Sequence, residues 1–156
     1  MDMNDVKNEQ QEQNKPTAAT NETTINDFLA QNVAKKDNVK VKMDRFKSPF
    51  VVKPLTATEM TDLQKQCSTK KRDRKTGQII TTMDQDLFQD KMIIKSIVTP
   101  DLNNEELQRS YGTIADAAGT LHAMLYGGEY TTLVQKVNEE SGFDASMDDE
   151  VEDVKN

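Results

Sequence analysis

The sequence contains one cysteine, Cys67, so it cannot close an internal disulfide. Tryptophan is absent and aromatic residues make up only 5% of the chain. The core must therefore be filled by aliphatic side chains and by the eight methionines, whose thioethers adapt to irregular gaps and to varied partners. A single histidine, His122, leaves no His/Cys set for a zinc site. No run approaches the roughly 18 apolar residues of a membrane span. The opening MDMNDVKNEQQEQNK has no basic segment leading into an apolar core, so neither a standard secretion signal nor a membrane location is expected. These scarcities point to a chain of a reducing cytoplasm, without cofactor or metal.

What is abundant is charge, at 30% of residues and a net of −7. It is unevenly placed. Between Lys40 and Lys75 eleven Lys and Arg face four Asp and Glu, a net of +7, which leaves −14 for the rest. Residues 1–22 are rich in Asn, Gln, Glu and Thr, and residues 144–156 carry six carboxylates in thirteen positions. Too little apolar surface is present there to offset the entropy of ordering, and both ends are expected to be disordered tails. The folded domain is expected over residues 23–143.

Within it, local signals follow one another closely. Ile25, Phe28, Leu29 and Val33 share one face of a short helix starting near Thr23 or Thr24. Val39, Val41 and Met43 alternate with Lys40, Lys42 and Asp44, and Phe50-Val51-Val52 follows after Ser48-Pro49, which predicts a β-hairpin. Thr56 and Glu59 have capping-box spacing ahead of Met60, Leu63 and Cys67, a helix ending by about Ser68. Thr69 to Gly77 reads as an exposed basic loop. Asp84 can cap a central helix in which Leu87, Phe88, Met92, Ile93, Ile94, Ile97 and Val98 cover more than half the circumference.

The stretch from Pro100 to Phe143 predicts three helices separated by glycines. Asn103 is placed to cap the first, with Glu106 three residues on and Leu102 and Leu107 spaced as a staple. Gly112 stops it. Ile114, Ala118, Leu121 and Leu125 form the stripe of the second, where Ala115, Ala117 and Gly119 are small enough for another backbone to approach. That face could equally serve an isologous dimer or an internal contact. Gly127 and Gly128 are expected as its left-handed cap. Tyr130, Leu133, Val134 and Val137 then line the third helix, which Gly142 ends.

None of these residues forms a chemical site. His122 lies beside an apolar stripe with no Ser or Cys at a motif spacing, and reads as a structural or surface histidine. Cys67, on an apolar helix face, reads as a small buried hydrophobe. The acidic tail lacks the Asp-x-Asp-x-Asp-Gly order of a calcium loop. Lys70 to Lys75 could meet phosphates, but no aromatic lies between Lys53 and Phe88 to stack on bases, and the chain is acidic overall, so nucleic acid is not expected as a partner. Gly127-Gly128 has neither a GxxxxGK pattern nor a strand before it. An interaction protein is what remains.

Several segments together resemble the XkdN-like phage tail assembly chaperones: Ile25-Asn26-Asp27-Phe28-Leu29, Asp44-Arg45-Phe46, Leu55-Thr56, Pro100-Asp101-Leu102, Leu107-Gln108, Ser110-Tyr111-Gly112, Met124-Leu125, Gly128-Glu129-Tyr130 and Ser141-Gly142-Phe143. The resemblance implies a small, mostly helical, non-enzymatic protein of a long-tailed phage or prophage. It would bind the tape measure protein in the host bacterial cytoplasm, keep its long helices soluble, help recruit tail tube subunits, and be missing from the mature virion. A structural tail or baseplate component kept in the virion is the alternative. The expected architecture is mainly α (α+β): five to six helices, one small β-hairpin and two tails. Partner contacts are expected at Met124, Leu125, Tyr130 and Leu133, with Met60, Met83 and Met92 as further candidates for an adaptable groove.

Overall fold

The computed structural model describes residues 24–143; the expectations for residues 1–22 and 144–156 lie outside that range. The chain divides between Lys35 and Lys36 into two units. In the first, residues 24–28 form a short helix, α1. Ile25, Phe28, Leu29 and Val33 are all exposed, and Asn32 closes the following turn by donating to the Asn26 carbonyl at 2.7 Å.

The second unit is mixed α+β, as the sequence predicts. Strands β1 (Val39–Val41) and β2 (Phe50–Val52) pair antiparallel, Val39 facing Val52 and Val41 facing Phe50. Helix α2 (Ala57–Gln66) starts on the expected capping box: Thr56 Oγ1 accepts from the Glu59 N–H, and Glu59 accepts from the Thr56 N–H at 2.9 Å. Cys67 closes this helix and is buried.

The next segment differs from the expectation. The basic stretch is a strand, β3 (Ser68–Arg72), paired with β4 (Ile79–Met83) in a second antiparallel hairpin. Its turn is made by Asp73, whose Oδ1 accepts from the Lys75 N–H at 2.7 Å, and by Gly77 at a φ of 72°, a conformation open to glycine at no steric cost.

Helix α3 (Gln85–Ser96) is capped by Asp84. It stops earlier than the apolar run suggests, because Ile97 and Val98 belong to β5 (Ile97–Thr99). This strand pairs with β2 through a bulge at Val51/Val52 and completes a sheet of order β1-β2-β5. Buried Ser96 holds the junction: its Oγ donates to the Lys53 carbonyl at 2.5 Å, and its own carbonyl accepts from the Lys53 N–H at 2.8 Å. An apolar run of this kind fits helix and strand equally well, and the unpaired edge of β2 decides.

Three helices follow: α4 (Glu105–Ser110), α5 (Ala117–Met124) and α6 (Gly127–Glu140). Asn104 caps α4, one residue later than expected. Helix α5 begins at Ala117 on the Asp116 cap, so Ile114 lies outside it and is exposed. Gly127 and Gly128 open α6 instead of ending α5; Glu129 reaches back to accept the Tyr126 N–H at 2.8 Å. The core joins the sheet to α3, α5 and α6 through Phe50, Val52, Met92, Ile93, Leu121, Leu133 and Val137, each at most 1% exposed. Each large side chain in it contributes about 1.5–3 kcal/mol of burial.

Candidate functional site

Between the β1–β2 connection, the turn after β5 and the helical half lies an apolar cleft of about 210 Å³. Phe46 and Phe50 form one wall, with ring centroids 5.0 Å apart and planes at 87°. Pro49 and Pro100 flank it, Leu107 and Tyr111 of the α4 region face them, and Met124 lies between. Lys47, Ser48 and Thr99 are the polar margin. A dry cavity of roughly 150 Å³ already holds a benzene ring, so this space suits one or two large apolar side chains. Its wall includes a methionine, the side chain best able to repack around different guests.

Polar bonds on both sides fix the cleft. Buried Gln108 donates from Nε2 to the Leu102 carbonyl at 2.8 Å and accepts the Ala115 N–H on Oε1 at 2.9 Å, tying α4 to the loops before and after it. On the opposite side, Arg45 donates to Glu129 and to the Met124 carbonyl. Its guanidinium lies 4.3 Å from the Tyr126 ring centroid and 5.1 Å from that of Phe46. The Arg45 fork and the Tyr126 N–H hold the Glu129 carboxyl down at about 2. A second depression of about 510 Å³ adjoins this pair, lined in part by Lys42, Asp44 and Thr132, and is more polar.

The four residues expected to meet a partner are split by the fold. Met124 lines the cleft from within the core, at only 5% exposed. Leu125 and Leu133 are buried in the core, with Leu133 fully enclosed. Tyr130 is half-buried, and its hydroxyl donates to Asp90 Oδ1 at 2.6 Å. Burial, reinforced by the Asp90 carboxylate, pushes its phenol well above the usual range. Asp90 also meets His122 Nε2 at 2.8 Å, and the imidazole stacks on the Tyr130 ring at 5.2 Å. The lone histidine thus helps fasten α3, α5 and α6. Of the other methionines, Met92 is core, while Met60 and Met83 are half-buried away from the cleft.

Phe46, Pro100, Leu107, Tyr111 and Met124, from five of the segments that carry the family resemblance, converge on this cleft. Pro49 and Phe50 complete it, and the sequence marks them only as a turn and a strand. Among the described residues no group of three or more His, Cys, Asp or Glu is placed to hold a metal ion. No helix there is long and apolar enough to cross a membrane.

Comparison with known proteins agrees with the resemblance. Residues 25–155 match the family described as phage XkdN-like tail assembly chaperone protein. The chain is 29% identical over 108 residues to the phage-like element PBSX protein XkdN of Bacillus subtilis (strain 168), covering 69% of this chain and 72% of that one. It is 28% identical over 108 residues, with the same shares covered, to YqbN of the same organism. A crystal structure of a protein YqbN superposes with a TM-score of 0.61 at 24% identity, covering 76% of this chain and 95% of that one, a likeness of fold.

Proposed function

The chain belongs to the phage XkdN-like tail assembly chaperone family, and on that premise we propose that its client is the tape measure protein. A tape measure is a long amphipathic helical polypeptide whose apolar face is a solubility hazard until the tail closes around it. The chaperone covers that face, keeps the client soluble, helps bring tail tube subunits to it, and leaves before the particle is finished. This takes place in the host cytoplasm and involves binding, with no bond made or broken.

The observation that carries this reading is the open apolar cleft with Met124 in its wall and Tyr111 at its edge. A helix docking its apolar face offers side chains at i, i+3, i+4 and i+7, of which one or two fill a cleft of this size. Met124, only 5% exposed, meets the client by repacking in the cleft wall, while Leu125, Tyr130 and Leu133 hold α5 and α6 in the position that shapes it. Tyr111 is 39% exposed, so Tyr111→Glu places a charge in the cleft without opening the core.

The test is co-expression with the tape measure protein of the same phage, followed by pull-down and a solubility assay. Soluble co-purification with the native chain, reduced roughly tenfold by Tyr111→Glu, supports the reading; tenfold is about 1.4 kcal/mol of binding. A client that stays insoluble and unbound, with the chain recovered instead in purified virions, overturns it in favour of a structural tail component.

A further inference from the structure

The β3–β4 hairpin takes no part in the cleft, and its chemistry is different. From Thr69 to Thr82 every residue except Asp73 is exposed. Among the described residues the hairpin forms a sheet by itself, and both outer edges lack a strand neighbour there. Lys70, Lys71 and Arg72 lie on β3, with Arg74 and Lys75 in the turn. Across the ladder Arg72 faces Ile79 and Lys71 faces Ile80, so each face of the ribbon presents a cation beside an isoleucine. Ile79 is 70% exposed and Ile80 52%. A solitary two-stranded ribbon is marginal in water, and two bare isoleucines on it favour a covering element.

The sequence after Phe143 supplies a complementary segment. Residues 144–156 carry Asp144, Asp148, Asp149, Glu150, Glu152 and Asp153 against one cation, Lys155, with Met147, Val151 and Val154 set between the carboxylates. Acid interleaved with apolar residues is the counterpart of base interleaved with isoleucine. Residues 148–153, five to ten positions past Phe143, can extend about 17–33 Å from it, while a domain the size of residues 36–143 has a radius of gyration of only about 13 Å. The segment therefore has the reach to find the hairpin from Phe143. A short tether also supplies an effective concentration near the millimolar range, which favours the chain's own segment over that of a second copy.

We propose that the β3–β4 hairpin is the docking surface for the chain's own acidic segment, residues 144–156, laid along an open edge of the ribbon, where the alternating side chains of an extended segment reach both faces: its carboxylates meet Lys70, Lys71, Arg72 and Arg74, and its apolar residues flank Ile79 on one face and Ile80 on the other. The contact is independent of the cleft and of the client assigned to it. A nucleic acid would use the cations alone; it would leave the isoleucines uncovered and find no aromatic on the ribbon to stack against.

The test uses the full-length chain. A carbodiimide couples lysine amines to carboxylates in contact without adding a spacer, and an equal mixture of ¹⁴N- and ¹⁵N-labelled chains separates links within a chain from links between chains. The expected links join Lys70, Lys71 or Lys75 to residues 148–153 within one chain. They should fall roughly fivefold at 1 M salt, where the screening length is about 3 Å, and fall similarly in an Arg72→Ser/Arg74→Ser variant that keeps every lysine. Ile79→Ser/Ile80→Ser should weaken them as well, with circular dichroism confirming the fold of both variants. The proposal is overturned if the links are mainly between chains, if they spread evenly over Lys40, Lys42 and Lys95, or if a DNA duplex binds the hairpin while the tail gives no links.

Discussion

Arg45 and Glu129, 84 positions apart, meet as a two-pronged ion pair: Nε and Nη2 of the guanidinium lie 2.8 and 2.6 Å from the two carboxylate oxygens. Nη2 also donates to the Met124 carbonyl at 2.8 Å, where α5 ends. One side chain from the β1–β2 connection thus holds the end of α5 and the first turn of α6, and fixes Met124 relative to Phe46. The planar fork suits a carboxylate on one edge and aromatic rings on its faces, which lysine could not reproduce.

Acid should loosen this junction. Glu129 takes up its proton near 4.5 in the unfolded chain and near 2 in the fold, so the unfolded state binds protons first. The stabilisation is complete above about pH 4.5 and is lost as pH falls toward 2. Glu59, lowered by the Thr56 N–H and Lys53, adds a change of the same sign. In Glu129→Gln, thermal unfolding at pH 7 should shift to lower temperature and the decline from pH 4.5 to 2 should flatten. An unchanged acid profile would remove Glu129 from this role.

Gln108 is a polar residue that the core cannot exchange for an apolar one. In Gln108→Leu the Leu102 carbonyl and the Ala115 N–H lose their partners. Leaving the buried Leu102 carbonyl unpaired costs about 1–3 kcal/mol, while the N–H of exposed Ala115 can turn to water, so denaturant unfolding should show a loss of about 1–3 kcal/mol. A loss under about 0.5 kcal/mol would mean that the loops on either side of α4 rearrange at little cost.

Asp116 and Gly119 should be coupled. The Asp116 carboxylate accepts the Gly119 N–H at 2.8 Å, and a Cβ at position 119 would overlap that carboxylate. Glycine stands here to admit the cap. Asp116→Ala should cost about 1 kcal/mol. Gly119→Ala should be near neutral alone, since it gains about 1 kcal/mol of helix propensity and displaces the cap. In the Asp116→Ala background the same change should stabilise by about 1 kcal/mol. Strict additivity in the double-mutant cycle would sink the account.

Tyr130 should keep its proton as pH passes the ordinary phenol range near 10. Its folded pKa is raised, so its contribution is complete below that range and stability falls as pH rises above it. In absorbance titration at alkaline pH, Asp90→Asn should bring its ionisation earlier, though not fully back, because burial is the larger cause. No shift on that substitution would separate Tyr130 from Asp90.

Much of this architecture was legible in the chain because its signals are local. Alternation marks β1, the apolar run after Ser48-Pro49 marks β2, the Thr56–Glu59 box starts α2, and the spacing of Tyr130, Leu133, Val134 and Val137 gives the inner face of α6. These features depend on residues two to seven positions apart. The basic stretch after Cys67 carries no such signal, and it becomes a strand only through its register with Ile79–Met83.

Sequence by itself determined the class of this protein: an acidic α+β chain stabilised by aliphatic and methionine packing, with local helix starts and stops and the motifs of a tail assembly chaperone family. Tertiary structure decided where those motifs lie and which surfaces remain open. The free edge of β2 drew Ile97 and Val98 out of the helix, because an unpaired ladder offers hydrogen bonds that a short apolar run can satisfy. The ion pair between Arg45 and Glu129 and the two bonds of Gln108 set the walls of the cleft, leaving Met124 where cleft and core meet while Leu125 and Leu133 pack away from it. Contacts between residues tens of positions apart cannot be read from periodicity, since it records which face a residue occupies but not what that face meets.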